Sequence, residues 1–486
     1  MSISLTKTEL AKILNARLTN NNALSTSTIF KGVEFNSRDI KGGELFIALK
    51  GGAQHGHDFL NDAFRNGAAL ALVENEQLLA DPNFGDKVMV VPDTLKAFID
   101  LARYHRERFS GEVVGVAGSV GKTTTKDLLG RLASRFCKTS WSKRSFNNLL
   151  GLSYTICNAD LADRLWVLEL GMNHAGELAE LSQMAKPDIG VLTKLAPEHL
   201  EFFRDLDQVA DAEYELLSGL NKSGARLVIN ADCELSLSAL QRSLKRWGKE
   251  GIEVKTFGHR KGDMQVSDFV HLIDPIAVNE GCLKARFSLR SVAANMDSEP
   301  QATIVTDIIG RHNSGNLAAA ILILKLVMPE VSLAALAGAV SDIPPSPMRL
   351  NQYDLTAKGG GLLIDDSYNS SPDAVLAALD ILGDLKGAAR SVALVLGDMY
   401  ELGDSGARLH LALAQPIIDL GPRYLLTYGE LMGGLAAALK GRLGEVLHAQ
   451  TVEEMARYVQ ERPVDVVLIK ASRGVGLDRV VRLLVE

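Results

Sequence analysis

Short apolar runs alternate with amphipathic stretches along most of the chain. From about residue 110, EVVGVAG (112–118), RLWVLELG (164–171), DIGVLTKL (188–195) and RLVINAD (226–232) read as buried strands. Among them, TTTKDLLGRLASRF (123–136), GELAELSQMA (176–185) and QVADAEYELLSGL (208–220) repeat apolar residues at helical spacing. Strands alternating with helices imply a parallel sheet with right-handed crossovers. Texture changes over 260–306, where KARFSLRS and QATIVTDI alternate apolar and polar residues singly, as antiparallel strands do. LAAAILILKLVM (317–328) is apolar all round but interrupted by Lys325, and it is shorter than the roughly 20 residues a bilayer requires. It reads as a buried helix.

Two transitions divide the chain. Before residue 93, a helical N-terminal stretch is followed by short apolar runs (LFIAL, AALALVE) between Gly-rich turns. DTLKAFIDLARYHRERF (93–109) predicts a helix leading into the alternating region. IPPSPMRL (343–350) then concentrates prolines, which remove backbone donors and restrict their neighbours, and marks a linker. Beyond it a second strand–helix series runs from GGLLIDDSY to LDRVVRLL, doubly wound in pattern but lacking GxGxxG at its first turn. The expectation is an α/β protein of three domains: a small N-terminal α/β domain over 1–92, a central P-loop ATPase-like parallel-sheet domain over 93–343, and a C-terminal Rossmann-like domain over 344–486.

Length agrees, since 486 residues exceed what one core organises. A formal net charge of −7 gives no electrostatic footprint for nucleic acid. Cys137, Cys157, Cys233 and Cys282 are scattered without a CxxC pair, which argues against zinc or a disulfide framework and suits a reducing cytosol. The N-terminus lacks the apolar core of a signal peptide. The reading is a cytoplasmic protein, monomeric, without stable membrane association.

GSVGKTT (118–124) carries the first chemistry. The long phosphate-loop pattern wants a glycine where Val116 stands, but the short form GxxGK[ST] is complete and lies between a strand and a helix. There, backbone N–H groups and the helix N-terminus aim at phosphate oxygens. Gly118, Ser119, Val120, Gly121, Lys122, Thr123 and Thr124 are the expected ATP loop, with Lys122 on the β/γ-phosphates and the Thr123 hydroxyl on Mg²⁺. Glu169 ends a strand that should be buried, so it is either a hard-metal ligand or a satisfied structural acid. Paired with the loop, the ligand reading is favoured. The third strand ends in TKLA rather than NKxD, which argues against a GTPase. Two large α/β domains around an ATP site suit a reaction joining three ligands better than a small-molecule kinase.

The motifs ELGMNHAGELAEL, HNSGNLAAA (312–320), IDDSYNSSP (364–372), LGDMYELG (396–403), KASRGVGLDRV (470–480) and, near the N-terminus, NSRDIKGGELFIALKGG resemble those of the ATP-dependent Mur ligases of peptidoglycan synthesis. The likeness runs from about residue 36 to 480. IDDSYN and GDMYELG point to the branch that joins D-alanyl-D-alanine to UDP-N-acetylmuramoyl-tripeptide. The resemblance implies ATP and Mg²⁺, Lys122 and His199 in catalysis, and Thr123, Glu169 and His199 as metal ligands. It also implies Asn316 at adenine, Arg349 and Asp365 at the nucleotide, Ser37 and Arg38 at the uridine nucleotide, and Asn369 near the dipeptide. Read alone, IDDSYN is equally a strand end with Asx turns, and Arg349 a linker ion pair.

One position departs from the family pattern. Where its members carry a lysine that CO₂ carbamylates, VADAEYELLSGL (209–220) has Glu213. Either Glu213 replaces the carbamate by charge, or it is a solvated helix residue. Remaining alternatives are another Mur-type ligase, a folate polyglutamate ligase, or a non-catalytic nucleotide-binding homologue.

Overall fold

The computed structural model describes residues 5–18, 30–52, 54–196, 201–220, 223–272, 283–292, 301–387 and 390–486. Three separate sheets organise them. The first is wholly parallel, in the order β1 (Val33–Glu34), β2 (Leu45–Ile47), β3 (Leu70–Val73), β4 (Val88–Val90). One face covers its own small core around Phe46, Leu60 and Ala71. The other face shares a core with helix Thr94–Arg108 and the second sheet, because Leu45, Leu72 and Met89 pack with Phe98, Leu101 and Val113.

The second sheet has nine strands: β5 (Glu112–Ala117), β6 (Thr139–Trp141), β7 (Leu165–Glu169), β8 (Ile189–Leu192), β9 (Arg226–Asn230), β10 (Glu253–Gly258), β11 (Met264–Leu272), β12 (Lys284–Ser291) and β13 (Gln301–Thr306). Their order is β13-β12-β11-β10-β9-β8-β5-β7-β6. Strands β6 to β11 run parallel, and β11-β12-β13 form the antiparallel end that single-residue alternation predicts. LWVLE in β7 is buried at every position because helices cover both faces. The apolar stretch around 317–328 lies in helix Arg311–Val327, packed beneath this sheet. Strand β5 sits where the order reverses, with β7 on one side and β8 on the other. In an open α/β sheet that point, at the carboxyl ends of the strands, is where ligands bind.

The third sheet comprises β14 (Asn351–Asp354), β15 (Leu362–Asp366), β16 (Val392–Gly397), β17 (Tyr424–Tyr428), β18 (Val446–His448) and β19 (Val466–Lys470), in the order β14-β15-β19-β16-β17-β18. All but the antiparallel edge strand β14 are parallel, and cores cover both faces. Local differences from the sequence reading have simple causes. RLHLALAQPII is two helices, Gly406–Leu411 and Ala414–Leu420, with Pro416 in the first turn of the second, where its missing N–H costs nothing. QVADAEYELLSGL changes from α-helix to 3₁₀ after Glu213. No helix among the described residues is long and apolar enough to cross a membrane.

Candidate active site

The carboxyl end of β5 runs directly into the phosphate loop and helix Lys122–Ala133. Gly118 (φ +119°) and Gly121 (φ +98°) occupy backbone regions that favour glycine. A Cβ on Gly121 would stand 2.9 Å from Asn316 Oδ1, and one on Gly118 would collide with Thr193. The helix begins at Gly121 without a side-chain cap, so its first-turn N–H groups face the cleft. Lys194 fixes the loop tip through two backbone hydrogen bonds with Val120, at 3.0 and 3.3 Å. The Lys122 ammonium donates to the carbonyls of Gly118 and Ser119.

Glu169 closes β7 beside this loop and is fully buried. Its Oε1 accepts from the Thr123 hydroxyl (2.9 Å) and Asn147 Nδ2 (3.1 Å). Its Oε2 is buried without a hydrogen-bond partner, and so is Ser119 Oγ in the loop. Burial pushes the Glu169 carboxyl above its usual range, opposed by Lys126, Arg349 and Lys122. A hydroxyl beside a carboxylate with a free oxygen fits Mg²⁺, which is held by one or two carboxylates and takes its remaining ligands from phosphates and water.

Glu213 is not solvated. It is 1 % exposed, and its Oε2 accepts the backbone N–H of Gly118 at 2.7 Å. The solvated-helix reading is therefore corrected: the carboxylate sits under the root of the phosphate loop. Glu215, two residues on, accepts from the N–H groups of Gly176 and Ala179 and caps helix Glu177–Ala185.

The third sheet supplies the facing wall, enclosing a cleft of about 1420 Å³. Tyr368 donates its hydroxyl to Ser145 Oγ (2.6 Å), which also contacts Thr123 Oγ1. The Arg349 guanidinium lies 4.5 Å above the Tyr368 ring. Lys194 pairs with Asp373 across the cleft, and the buried Lys470 ammonium bonds Asp366 (2.6 Å) and the Asn369 carbonyl (2.8 Å). His312 reaches the cleft and stays exposed to its solvent, yet desolvation by the surrounding protein walls pushes its imidazole down to about 4; Asp366 opposes that shift, while Lys470 and Lys194 add to it.

Asp366, rather than Asp365, lines the cleft. Asp365 is buried, takes the N–H and hydroxyl of Ser367, and has its carboxyl raised by that burial. Neighbours on a strand point to opposite faces, which separates the pair. Asn316 and Arg349 both line the cleft with the loop. Asn369 does so too, its Oδ1 accepting the Ser370 N–H. Ser37 and Arg38 lie apart, on a 3₁₀ turn of the first sheet, with Ser37 buried and Arg38 exposed. His199 lies outside the described residues. Ser145, Asn147, Tyr368, Lys194 and Lys470 are cleft residues the sequence reading did not single out. KASRGVGLDRV pointed to Lys470, but nothing local marks Ser145 or Asn147.

Three stretches of the chain match family descriptions: "Mur ligase family, catalytic domain" over 29–106, "Mur ligase middle domain" over 116–324, and "Mur ligase, glutamate ligase domain" over 348–473. The chain belongs to the Mur ligase family, a class of ATP-dependent ligases. Among particular relatives, it is 30% identical over 467 residues to the UDP-N-acetylmuramoyl-tripeptide--D-alanyl-D-alanine ligase of Bacillus subtilis, covering 94% of each chain. To the ligase of that name from Rickettsia prowazekii it is 29% identical, covering 94% of this chain and 96% of the other. Its fold is that of MurF from Acinetobacter baumannii (TM-score 0.81, 24% identity, 100% and 99% covered). The Thermotoga maritima MurF ligase solved with ADP is also similar (TM-score 0.72, 25% identity, 93% and 96% covered).

Proposed function

We propose that this chain joins D-alanyl-D-alanine to UDP-N-acetylmuramoyl-tripeptide in cytoplasmic peptidoglycan-precursor synthesis, with ATP and Mg²⁺, as a monomer. The observation that carries this is end-to-end similarity to ligases of that name, together with a phosphate loop that faces a second α/β domain across one cleft. The peptide carboxylate attacks the γ-phosphorus of ATP and ADP leaves; the dipeptide amine then attacks the acyl phosphate and phosphate leaves. Holding these reactants in register lowers the barrier by up to about 7–11 kcal/mol.

The roles we assign combine the lining of the cleft with the family resemblance. Residues 118–124 hold the phosphates through main-chain N–H groups, with Lys122 balancing their charge. Thr123 and Glu169 would hold Mg²⁺, whose charge would stabilise the transferring phosphoryl group; His199 is assigned to a second ion by sequence alone. Asn316 serves adenine, and Arg349 and Asp366 serve the nucleotide, with Asp366 in the place expected of Asp365. Asn369 lies on the dipeptide side and Ser37 and Arg38 on the uridine side. Glu213 anchors the loop. We take 1–92, 93–343 and 344–486 as the uridine-nucleotide, ATP and dipeptide-side units. The test is ATP-dependent phosphate release with UDP-muramoyl-tripeptide and D-alanyl-D-alanine. Release with a single L-amino acid or a folate instead would overturn the assignment.

A further inference from the structure

Lys126 and Asp127 lie one turn beyond Lys122 and Thr123 on the helix that the phosphate loop starts. Lys126 is completely buried, and a buried ammonium persists only when its charge and hydrogens are satisfied. Its three N–H bonds go to Asp127 Oδ1 (2.6 Å), the Ser142 carbonyl (2.8 Å) and the Arg144 carbonyl (2.8 Å). That is the full donor capacity of a lysine. Glu169 Oε2, 3.7 Å away, therefore feels the cation without being hydrogen-bonded by it and keeps its lone pairs for another ligand.

The same pair reaches in two further directions. The 142–147 segment, pinned by Lys126 at both carbonyls, accepts the Glu169 N–H at Ser142 Oγ (3.0 Å) and places Asn147 on Glu169 and Ser145 on Thr123. Arg144 in this segment adopts φ +49°, an uncommon conformation that the Lys126 contact braces. On the other side, Asp127 Oδ2 accepts the hydroxyl of Ser346 (2.7 Å), in the proline-rich segment entering the third sheet. Ser346 in turn accepts the Arg349 N–H.

We infer that the buried Lys126–Asp127 pair is a positioning relay that joins the interdomain segment at Ser346 to the Glu169 carboxylate, so that the C-terminal domain and the metal–phosphate half-site adjust together. Resting on the ligase reading above, it adds residues that touch no substrate and act through Glu169.

The test is calorimetric binding of ADP to the full chain across a Mg²⁺ titration, beside melting curves, for wild type, Ser346→Ala, Asp127→Asn and the double variant. Each single variant is expected to raise the Mg²⁺ concentration for half-maximal ADP binding roughly 2- to 30-fold, the scale of coupling through such networks. The double variant should add little to Asp127→Asn, because both remove one link. Unchanged Mg²⁺ dependence in Ser346→Ala, fully multiplicative effects in the double variant, or shifts that only track a lowered Tm would each overturn the relay. ADP binding by wild type that ignores Mg²⁺ would also overturn it. Wild type that binds Mg²⁺ and ADP as expected but forms no amide would sink the ligase reading and leave the relay standing.

Discussion

Glu213 and Gly118 are 95 residues apart, yet the carboxylate of one accepts the backbone N–H of the other at 2.7 Å, beneath the loop expected to hold ATP. A permanent carboxylate in that place needs no CO₂ to carry its charge. Glu213→Ala strands a buried N–H, at a cost of about 1–3 kcal/mol. The expected outcome is a drop of about 10- to 100-fold in kcat/KM for ATP, with wild-type rates indifferent to added bicarbonate. Normal turnover in Glu213→Ala would remove the anchoring role, and a bicarbonate requirement would indicate that some lysine is modified.

Gly121→Ala meets two obstacles: a backbone angle that disfavours L-residues by roughly 1–2 kcal/mol, and the Asn316 amide oxygen. ADP affinity, measured by calorimetry, should fall. Adding Asn316→Ala should recover at most part of that loss, because the collision disappears while the strain remains and the amide assigned to adenine is lost as well. Full recovery would show that backbone strain contributes nothing.

Tyr368 touches the central wall by its hydroxyl and Arg349 by its ring face. Tyr368→Phe removes a hydrogen bond worth about 0.5–1.5 kcal/mol and should lower kcat about 2- to 10-fold. Tyr368→Leu also loses the cation–π contact, about 0.5–1 kcal/mol more, and should open the cleft detectably in solution scattering. Equal effects from both substitutions would assign the whole contribution to the hydroxyl.

The depressed imidazole of His312 has a calculable sign. Unfolded, it binds a proton near pH 6.5; folded, only near about 4. Water at this exposed side chain screens the effect, so its contribution to stability is small; that contribution is full above pH 6.5 and is lost as pH falls from there through 4, because the unfolded chain gains the proton first. Between pH 7 and 5, wild type should lose more of its urea midpoint than His312→Asn, and the His312 ring resonance should remain that of the neutral form at pH 5. A ring half-protonated near 6.5 would contradict this.

Strand β5 and the loop after it were legible because both are local signals: an apolar run buried on two faces, then glycines at fixed spacing. Glu169 was legible for the same reason, as the polar residue ending such a run. Lys126 was missed because a lysine on a helix is normally solvated, and only the tertiary fold brings two carbonyls and a carboxylate to it. The choice between Asp365 and Asp366 turned on which face of β15 looks into the cleft, which two adjacent acids cannot declare. Glu213 sits in an amphipathic stretch with several other acids, so its burial under Gly118 depends on how that helix docks. Strand β14, NQYD, is too short and polar to announce itself; its pairing with β15 defines it.

The order of the third sheet also bears on how the chain is made. Strand β19 pairs with β15 on one side and β16 on the other, so it holds the sheet's middle while being the last of its strands to leave the ribosome. The N-terminal and central sheets can assemble during synthesis, but the C-terminal one remains in two pieces until residues 466–470 emerge. A premature stop even a few residues before Val466 would therefore not trim an edge. It would leave Asp366 without Lys470 and expose the facing edges of β15 and β16 as unpaired templates for aggregation.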